Sequence, residues 1–540
     1  MRGKVDRRAA PLVALALAVA SSVILAASQP ARADGVHPIP EAARQVTTSA
    51  DPARLFENPQ ATVDPTNTDR VAVAVGDARN GGCMLYISND GGLTFAKSSA
   101  TLLPSDQQFC GQVQGNRYIS PSFASDGSLY VAMSGASLTT GYPNAPEVPL
   151  VARSADAGST TATATVATPQ PVTTANGTVK QDYRYTDIAV DPADPKRLYA
   201  GWQVGVTTPS NGKRTGLPPT QAVIATSSDG GATWSMSQVS ATASGMSLYG
   251  AGVPSLVVAA DGAVYAVVKE VPKPAASGPP PPARFIMFAS TDHGAHWAAS
   301  EVPDQAGKAF VEPPVIAAAP KSAALYVAWN QDATTPAEKS TIYFTSSTDK
   351  GKTWSQPFHL VDENARSIAN SYEAGMSVAP DGRIDVTWND FRNDLDHHTS
   401  VFASGMTVAP DSTVERFYDI YGTSSSDGGK TWTPNYRVND RGIDALYGGT
   451  YYYRLFGPIG MASTDHALYV TWADSRNSRD VGAVDDAYFT RVEMDSSAVE
   501  RAASGPTAAD ALWAGVGAGG MLCIAGLLLL LVSLRRRSAE

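Results

Sequence analysis

Short apolar segments alternate with polar turns along the chain from about residue 50 to residue 495. In seven places two apolar segments flank a short turn, and they begin at Ala61, Pro121, Asp187, Pro254, Pro314, Met376 and Ile459. Runs of this length, rich in Val, Tyr and Trp and bounded by Gly, Asp or Pro, are typical of β-hairpins. The pattern predicts an all-β body made of repeated hairpins.

A second repeat, Ser-x-Asp-x-Gly, recurs six times and often ends in Thr-Trp. Aspartate can accept N–H bonds within its own turn, glycine supplies a positive φ, and the terminal ring can pack under a neighbouring sheet. No glutamate follows where an EF-hand would need one, and we predict neither a metal nor a cofactor. The structural turn aspartates are Asp90, Asp156, Asp229, Asp292, Asp349 and Asp427.

These two repeats resemble the BNR or Asp-box repeat proteins of the sialidase superfamily, over roughly residues 50 to 495. The resemblance implies a β-propeller of four-stranded antiparallel blades, with an Asp box between the third and fourth strands of a blade. We expect seven blades, with a segment near His37 to Val46 supplying the outer strand that the last blade lacks. Six blades are the alternative, if the first or last unit is an appendage. Closing a ring in this way removes exposed strand edges.

Both ends of the chain carry segments typical of export and anchoring. Near the N-terminus, basic residues precede an Ala-rich run and the small-x-small sequence Ala31-Arg32-Ala33, which predicts a cleaved signal peptide; an uncleaved anchor is the alternative. Residues 511–534 are apolar or small and long enough to cross a hydrocarbon core of roughly 30 Å. The arginines at 535–537 predict a cytoplasmic C-terminus.

The predicted organisation is therefore that of a single-pass protein of the cell membrane with an extracellular body. Its parts are a signal peptide (1–33), a propeller (34–495), a stalk (496–510), a transmembrane helix (511–534) and a cytoplasmic tail (535–540).

The net charge limits the classes of binding partner, and the number of cysteines limits the possible disulfides. The formal net charge of −10 argues against nucleic acid as a partner, because phosphate binding depends on clustered Lys and Arg. Of three cysteines, Cys523 lies in the C-terminal apolar run. Cys83 and Cys110 are left as the only pair outside the membrane, and export favours a disulfide between them over two buried thiols.

One face of the predicted blades carries the candidate chemistry. Antiparallel strands place the turns between strands two and three on the face opposite the Asp boxes, which we call the front face. Three of these turns begin with Asp-x-Arg-Asn. If the ring closes after the seventh unit, Arg79, Arg392 and Arg476 lie on neighbouring blades and could converge on a ligand carboxylate. The alternative is an Asp–Arg pair that braces each turn.

The predicted entrances of the innermost strands add carboxylates and aromatic rings, a combination that suits sugar binding. They include the carboxylates Glu57, Asp187, Glu312 and Glu373 and the run Tyr451, Tyr452, Tyr453 and Arg454.

The resemblance implies sialidase-type roles for these front-face residues, namely a Tyr–Glu nucleophile pair, an acid and an arginine clamp. The nucleophile pair would be Glu373 with one of the three tyrosines, and Asp77 would be the acid. The clamp would come from Arg79, Arg392, Arg454 and Arg476. The family's Arg-Ile-Pro motif has no counterpart, since the nearest sequence, residues 54–59, reads RLFENP.

Two functions therefore stay open, together with a weaker structural role in envelope assembly. One is binding of a glycan or cell-envelope partner through the front face, without catalysis. The alternative is a sialidase-like retaining glycoside hydrolase that acts on extracellular glycans.

Overall fold

The computed structural model describes the body of the chain almost entirely as β-structure. The described residues are 31–32, 36–49, 54–77, 81–108, 119–137, 146–174, 177–207, 209–210, 213–214, 217–239, 248–272, 283–303, 314–333, 338–397, 399, 413–446, 459–478 and 484–495. Within them, Glu363–Arg366 forms a short α-helical turn. None of the helices in these ranges is long and apolar enough to cross a membrane.

The proposed stalk, transmembrane helix and tail lie outside the described residues. The proposed signal peptide does too, apart from Ala31 and Arg32.

The strands form seven antiparallel sheets of four or five strands, which we number blades 1 to 7 along the chain. Innermost strands of consecutive blades contact each other, and that of blade 7 contacts that of blade 1. The sheets therefore close into a seven-bladed β-propeller, which confirms the expected all-β fold and decides against six blades. The innermost strands are Phe56–Val63, Ile119–Phe123, Gly177–Asp191, Ser255–Val258, Val315–Ala318, Ser371–Val378 and Gly460–Ser463.

The other strands follow the innermost ones outward within each blade. The second strands are Val71–Asp77, Leu129–Ser137, Asp194–Thr207, Val264–Pro272, Leu325–Gln331, Ile384–Asp390 and Ala467–Asp474. The third strands are Gly82–Ser88, Glu147–Ser154, Leu217–Ser227, Arg284–Ser290, Thr341–Ser347, Phe417–Ser425 and Asp486–Asp495. The outer strands of blades 1 to 6 are Ala96–Lys97, Ala162–Thr165, Ser235–Gln238, Ala298–Val302, Phe358–His359 and Tyr436–Arg437.

Short additional strands extend several sheets. Extra strands in blades 2, 3, 4 and 6 are Gln107–Gln108, Pro171–Thr174, Leu248–Ala251 and Ile443–Asp444. Two separate pairs are Pro209–Ser210 with Lys213–Arg214, and Ala31–Arg32 with Thr431–Trp432.

Residues 36–49, which we call the N-terminal strap, complete blade 7. Strand His37–Pro40 pairs with residues 492–495, and Arg44–Gln45 pairs with Phe489 and Tyr488. The Val46 amide donates to the Ala487 carbonyl at 2.8 Å. The predicted outer strand from the N-terminal segment is confirmed, and the strap covers the outer edge of strand Asp486–Asp495.

The Asp boxes of blades 1 to 6 each follow the third strand, as expected. In blade 3, the Thr233 amide and hydroxyl donate to the two Asp229 carboxylate oxygens at 2.9 and 2.6 Å. The Ser227 hydroxyl donates to Asp229 at 2.8 Å and accepts the Gly231 amide at 2.9 Å. The other five boxes repeat these bonds, with His296 in the place of threonine in blade 4. Each box is thus a closed local turn.

Each box also fits its blade against the preceding blade. In blade 6, the Trp432 ring packs at 4.9 Å, centroid to centroid, on Phe344 of blade 5. A methyl group on Gly429 would lie 2.7 Å from the Phe344 ring. In blade 1, Phe95 packs at 5.0 Å on Phe489 of blade 7. The boxes therefore hold neighbouring sheets together in addition to closing their own turns.

Candidate functional site

The strand register places the strand entrances and the second-to-third turns on one face. In blade 1, Phe56 at the start of the innermost strand pairs with Asp77 at the end of the second, and Asp77 pairs with Gly82. Val71, at the other end of the second strand, pairs with Ser88 of the Asp box. The Asp boxes therefore lie on the back, and the candidate residues lie on the front face.

On the front face of blade 6, an arginine is held in a cluster of aromatic and acidic side chains. The Trp388 indole donates to Asp390 at 2.7 Å, and Arg392 binds the same carboxylate through Nε at 2.8 Å and Nη2 at 2.7 Å. The Arg392 guanidinium carbon lies 3.9 Å from the centre of the Tyr421 ring. The neighbouring Asn393 donates to Tyr421 at 3.2 Å.

Blade 7 repeats this arrangement residue for residue. Trp472 donates to Asp474 at 2.9 Å and Arg476 donates to it at 2.8 Å. Arg476 lies 4.1 Å from the centre of the Tyr488 ring, and Asn477 donates to the Tyr488 hydroxyl at 3.2 Å. We call these two clusters the front units. Blade 1 lacks one, because Val75 pairs with Met84 where the units pair tryptophan with tyrosine.

Each arginine of a front unit also reaches the connection that leaves the preceding blade. Arg392 lies 3.9 Å from Asp362, after the outer strand of blade 5, and Arg476 binds Asp440 at 3.0 Å, after the outer strand of blade 6. For these two arginines the structure shows the turn-bracing Asp–Arg pair that was the alternative to a ligand clamp. Arg79 and Arg454 lie outside the described residues, so their part in a clamp stays a prediction.

Three innermost strands are distorted by a residue with a positive φ. Asn58, Tyr185 and Glu373, in blades 1, 3 and 6, have φ values of 48°, 53° and 57°. Each lies at a register shift of its strand. A bulge re-aims side chains, and a non-glycine residue at positive φ stores roughly 1–3 kcal/mol of strain, a feature that clusters at functional sites. We call these three residues the front bulges.

Glu57 and Glu373 lie at the front ends of their strands, as the sequence predicted. Both are buried, with 4% and 8% of their surfaces exposed, and both are engaged in interactions with the rest of the protein. Asp77, at the front end of the second strand of blade 1, is buried as well. These three predicted carboxylates are therefore largely buried at the front face.

A tyrosine–glutamate contact lies beside the Glu373 bulge. The Tyr372 hydroxyl donates to Glu415 at 3.4 Å, and the Asn370 amide donates to the same carboxylate at 2.6 Å. Sequence reasoning missed Glu415 because it precedes the third strand of blade 6, 43 residues from Tyr372. Tyr372 is fully buried, so its hydroxyl is a structural partner of Glu415 in this conformation.

Asp187, one of the expected rim carboxylates, instead joins three blades. Its carboxylate accepts the Ser120 hydroxyl of blade 2 at 3.0 Å and the Leu256 amide of blade 4 at 2.9 Å. Both partners belong to innermost strands, so Asp187 cross-links three neighbouring strands around the axis. The expectation that it helps to line a sugar site is not supported by these bonds.

A second buried aspartate joins the ends of the ring. Asp486 binds Arg54 through two hydrogen bonds of 2.7 and 2.8 Å, with no exposed side-chain surface. The sequence singled out Arg54 only as a mismatch to the Arg-Ile-Pro motif. Its partner could not be foreseen, because the two residues are 432 positions apart.

Cys83, on the third strand of blade 1, is disulfide-bonded. Its proposed partner Cys110 lies outside the described residues, so that pairing stays a prediction. Also outside them are Glu312, Tyr451, Tyr452 and Tyr453. Within the described part of the chain, the His, Cys, Asp and Glu side chains form no group that could hold a metal ion.

Comparisons with known proteins agree with the repeat. Residues 188–395 match the family model of the BNR repeat-like domain, whereas no curated protein matches the chain by sequence. With the six Asp boxes and the closed ring of seven sheets, this match defines a BNR-repeat β-propeller. The BNR repeat that the sequence resemblance predicted is thus confirmed for residues 188–395.

Solved structures with related folds include sialidases. A Hadza microbial sialidase is 14% identical, with a TM-score of 0.42 over 78% of this chain and 76% of that one. A protein of unknown function from Dyadobacter fermentans is 11% identical, with a TM-score of 0.44 over 86% and 100% of the two chains. The Trypanosoma rangeli sialidase bound to the inhibitor DANA is 14% identical, with a TM-score of 0.39 over 74% of this chain and 56% of that one.

Proposed function

We propose that this protein is an extracellular, membrane-anchored propeller that binds a glycan or a cell-envelope partner through its front face, without catalysis. The observation that carries the proposal is the set of front bulges. Strained non-glycine residues occur on the innermost strands of blades 1, 3 and 6, each at a register shift of its strand. Such strain persists where the surrounding structure enforces it, and it is typical of ligand sites.

The back face is a weaker candidate for a binding site, because its Asp-box side chains are already hydrogen-bonded within their own turns. The boxes form closed turns, with the Asp229 carboxylate saturated by its own threonine and serine. The front face instead carries the carboxylates Glu57 and Glu373 and the tyrosine rings of the two front units. Carboxylates and aromatic rings together suit the recognition of sugar hydroxyls and ring faces.

The state of the described arginines favours binding over cleavage of an acidic sugar. Arg392 and Arg476 are each bound to an aspartate of their own blade, at 2.7 and 2.8 Å. A sialidase clamp must offer its guanidinium groups to the substrate carboxylate. These two would first have to give up their protein partners.

The binding proposal is tested with the full-length chain purified in a mild detergent and applied to a glycan array. We expect at least one glycan class to bind, with a loss of at least tenfold in affinity for Glu57→Gln and Glu373→Gln. Glu301→Gln, on the outer strand of blade 4, is the matched control and should bind as the wild type does. A blank array would refute glycan binding, and equal affinities for all variants would refute binding through the front face. Labelling of intact cells with a membrane-impermeant reagent tests the extracellular location, and an unlabelled body would exclude it.

The second candidate is a sialidase-like retaining glycoside hydrolase, and the strained Glu373 favours it. Glu373 has a backbone φ of 57° and lies near the start of an innermost strand. Backbone strain of this kind is typical of active-site residues. A fluorogenic sialoside and a panel of other glycosides test this candidate. We expect turnover that is lost in Glu373→Gln and kept in Glu301→Gln. The absence of turnover by the wild-type protein on all substrates leaves binding as the function.

A further inference from the structure

Asp486 collects donors from three separate segments of the chain. Arg54 donates twice to its carboxylate, and Thr47 of the N-terminal strap and Asn477 of the blade 7 turn donate at 3.1 and 2.8 Å. The Thr47 hydroxyl in turn accepts the Ala487 amide at 3.0 Å. Four hydrogen bonds from different segments therefore end on one fully buried carboxylate.

Arg54 stands directly before the innermost strand of blade 1. The next residue, Leu55, forms a parallel bridge with Asp485, and the Phe56 amide donates to the Asp485 carbonyl at 3.1 Å. Glu57 and the strained Asn58 follow at once. The position of this front bulge is thus tied through Arg54 to blade 7 and to the strap.

We propose that Arg54 and Asp486 form a positioning pair that couples closure of the ring by the N-terminal strap to the geometry of the front face at Glu57 and Asn58. The coupling deepens the proposed binding function and rests on it. The fork of donors on Arg54 matches the two carboxylate oxygens, so lysine can keep the charge but not the geometry. A change at residue 54 therefore acts on the site through the strand that follows it.

Hydrogen–deuterium exchange of the full-length chain, followed by mass spectrometry, tests the coupling without any ligand. In Arg54→Gln we expect the amides of Val46, Phe56 and Ala487 to exchange at least tenfold faster, with a smaller change in Arg54→Lys. The second strand of blade 4, Val264–Pro272, should exchange as in the wild type. Arg44→Gln is the matched control, because Arg44 lies in the strap but pairs at 2.8 Å with the partly exposed Glu41. Unchanged exchange, or an equal rise in blade 4, would overturn the proposal.

Binding measurements then separate this proposal from the proposed function. For any glycan that the wild-type protein binds, Arg54→Gln should lower the affinity at least tenfold while Arg44→Gln leaves it unchanged. If Arg54→Gln does not fold, Asp486→Asn and Arg54→Lys serve in both measurements. If the wild type binds no glycan, the proposed function is wrong. The exchange pattern would still show whether Arg54 and Asp486 couple the strap to the front face. Faster local exchange with unchanged affinity would show that the pair does not act on the site.

Discussion

Single residues in this propeller carry conformations that only their surroundings can enforce. Glu373 has a φ of 57° although it is not glycine, and its strand shifts register at the same point. A left-handed conformation costs an L-residue about 1–2 kcal/mol. The strain can be measured separately from the loss of the side chain by comparing two truncations.

We expect Glu373→Gly to be more stable than Glu373→Ala by about 1 kcal/mol, because both lose the carboxylate but only glycine relieves the strain. Urea unfolding of the two variants measures the difference. The same pair of substitutions at Glu57, whose φ is not positive, should rank the other way, with alanine more stable. A glycine variant that is less stable than alanine at both positions contradicts the strain at Glu373.

Residue roles were predictable where the partners are close in sequence. The hydrogen bonds of the Asp box could be predicted because Asp229 finds its donors two and four residues away. The roles of Asp187 and Asp486 were not predictable, because Asp187 binds Ser120 and Leu256 at separations of 67 and 69 residues. Asp486 binds Arg54 at a separation of 432 residues. A local pattern contains the first kind of contact, whereas only the closed ring creates the second.

At the scale of elements, the Asp box is a turn whose charge is part of its structure. Hydrogen bonds from the Thr233 hydroxyl and amide and from Ser227 lower the pKa of Asp229 from 3.8 to about 2. The pKa values of Asp90, Asp156 and Asp349 are lowered to about 2 in the same way. A carboxylate with a lowered folded-state pKa contributes stability above its ordinary pKa and loses it as the pH falls.

We therefore expect the melting temperature to fall between about pH 4 and pH 2, the interval between the ordinary and the lowered pKa of Asp229. Asp229→Asn cannot titrate, so its stability should fall less steeply over this interval. Thr233→Val, which removes one of the donors, should lie between the two. Thermal unfolding at closely spaced pH values gives the slopes, and parallel curves for wild type and Asp229→Asn would contradict this account.

The box glycines also define the distance between neighbouring blades. A β-carbon on Gly429, at a φ of +87°, would lie 2.7 and 2.8 Å from two atoms of the Phe344 ring. Gly382 has a φ of +103° but no atom within 4 Å of the same position. The two glycines thus share the backbone strain and differ in the space around them.

Gly429→Ala should accordingly lower the free energy of unfolding by about 1–3 kcal/mol more than Gly382→Ala, because the rigid ring must move. Urea titrations of the two variants give the difference, and Phe344→Leu in the Gly429→Ala background should recover part of it. Equal losses for the two glycine variants would show that the blades can separate at no cost.

The fold of the whole molecule depends on closure of the ring of blades, and the number of repeats predicted this closure only in part. Seven hairpins favoured seven blades, but six stayed open because the first or last unit could have been an appendage. Pairing of His37–Pro40 with residues 492–495 decides the question. The Asp-x-Arg-Asn turns show what a local sequence pattern cannot predict. Three turns share this tetrapeptide, but among the described residues only those of blades 6 and 7 form a front unit. The tryptophan and tyrosine that complete a unit come from paired strands.

The last prediction concerns Asp187, which links the innermost strands of three blades around the propeller axis. This residue binds Ser120 at 3.0 Å and Leu256 at 2.9 Å, on the innermost strands of the blades on either side. Asp187→Ala leaves both donors buried without this acceptor, each at a cost of about 1–3 kcal/mol, so we expect a loss of about 2–4 kcal/mol in the free energy of unfolding. Ser120→Ala removes one link and keeps the carboxylate, so it should lose about 1 kcal/mol. Urea unfolding of the wild type and both variants measures these losses, and the wild type should give a single transition because Asp187 links the innermost strands of three blades. Two separate transitions in the wild type, or equal losses in the two variants, would mean that Asp187 does not join its neighbours energetically.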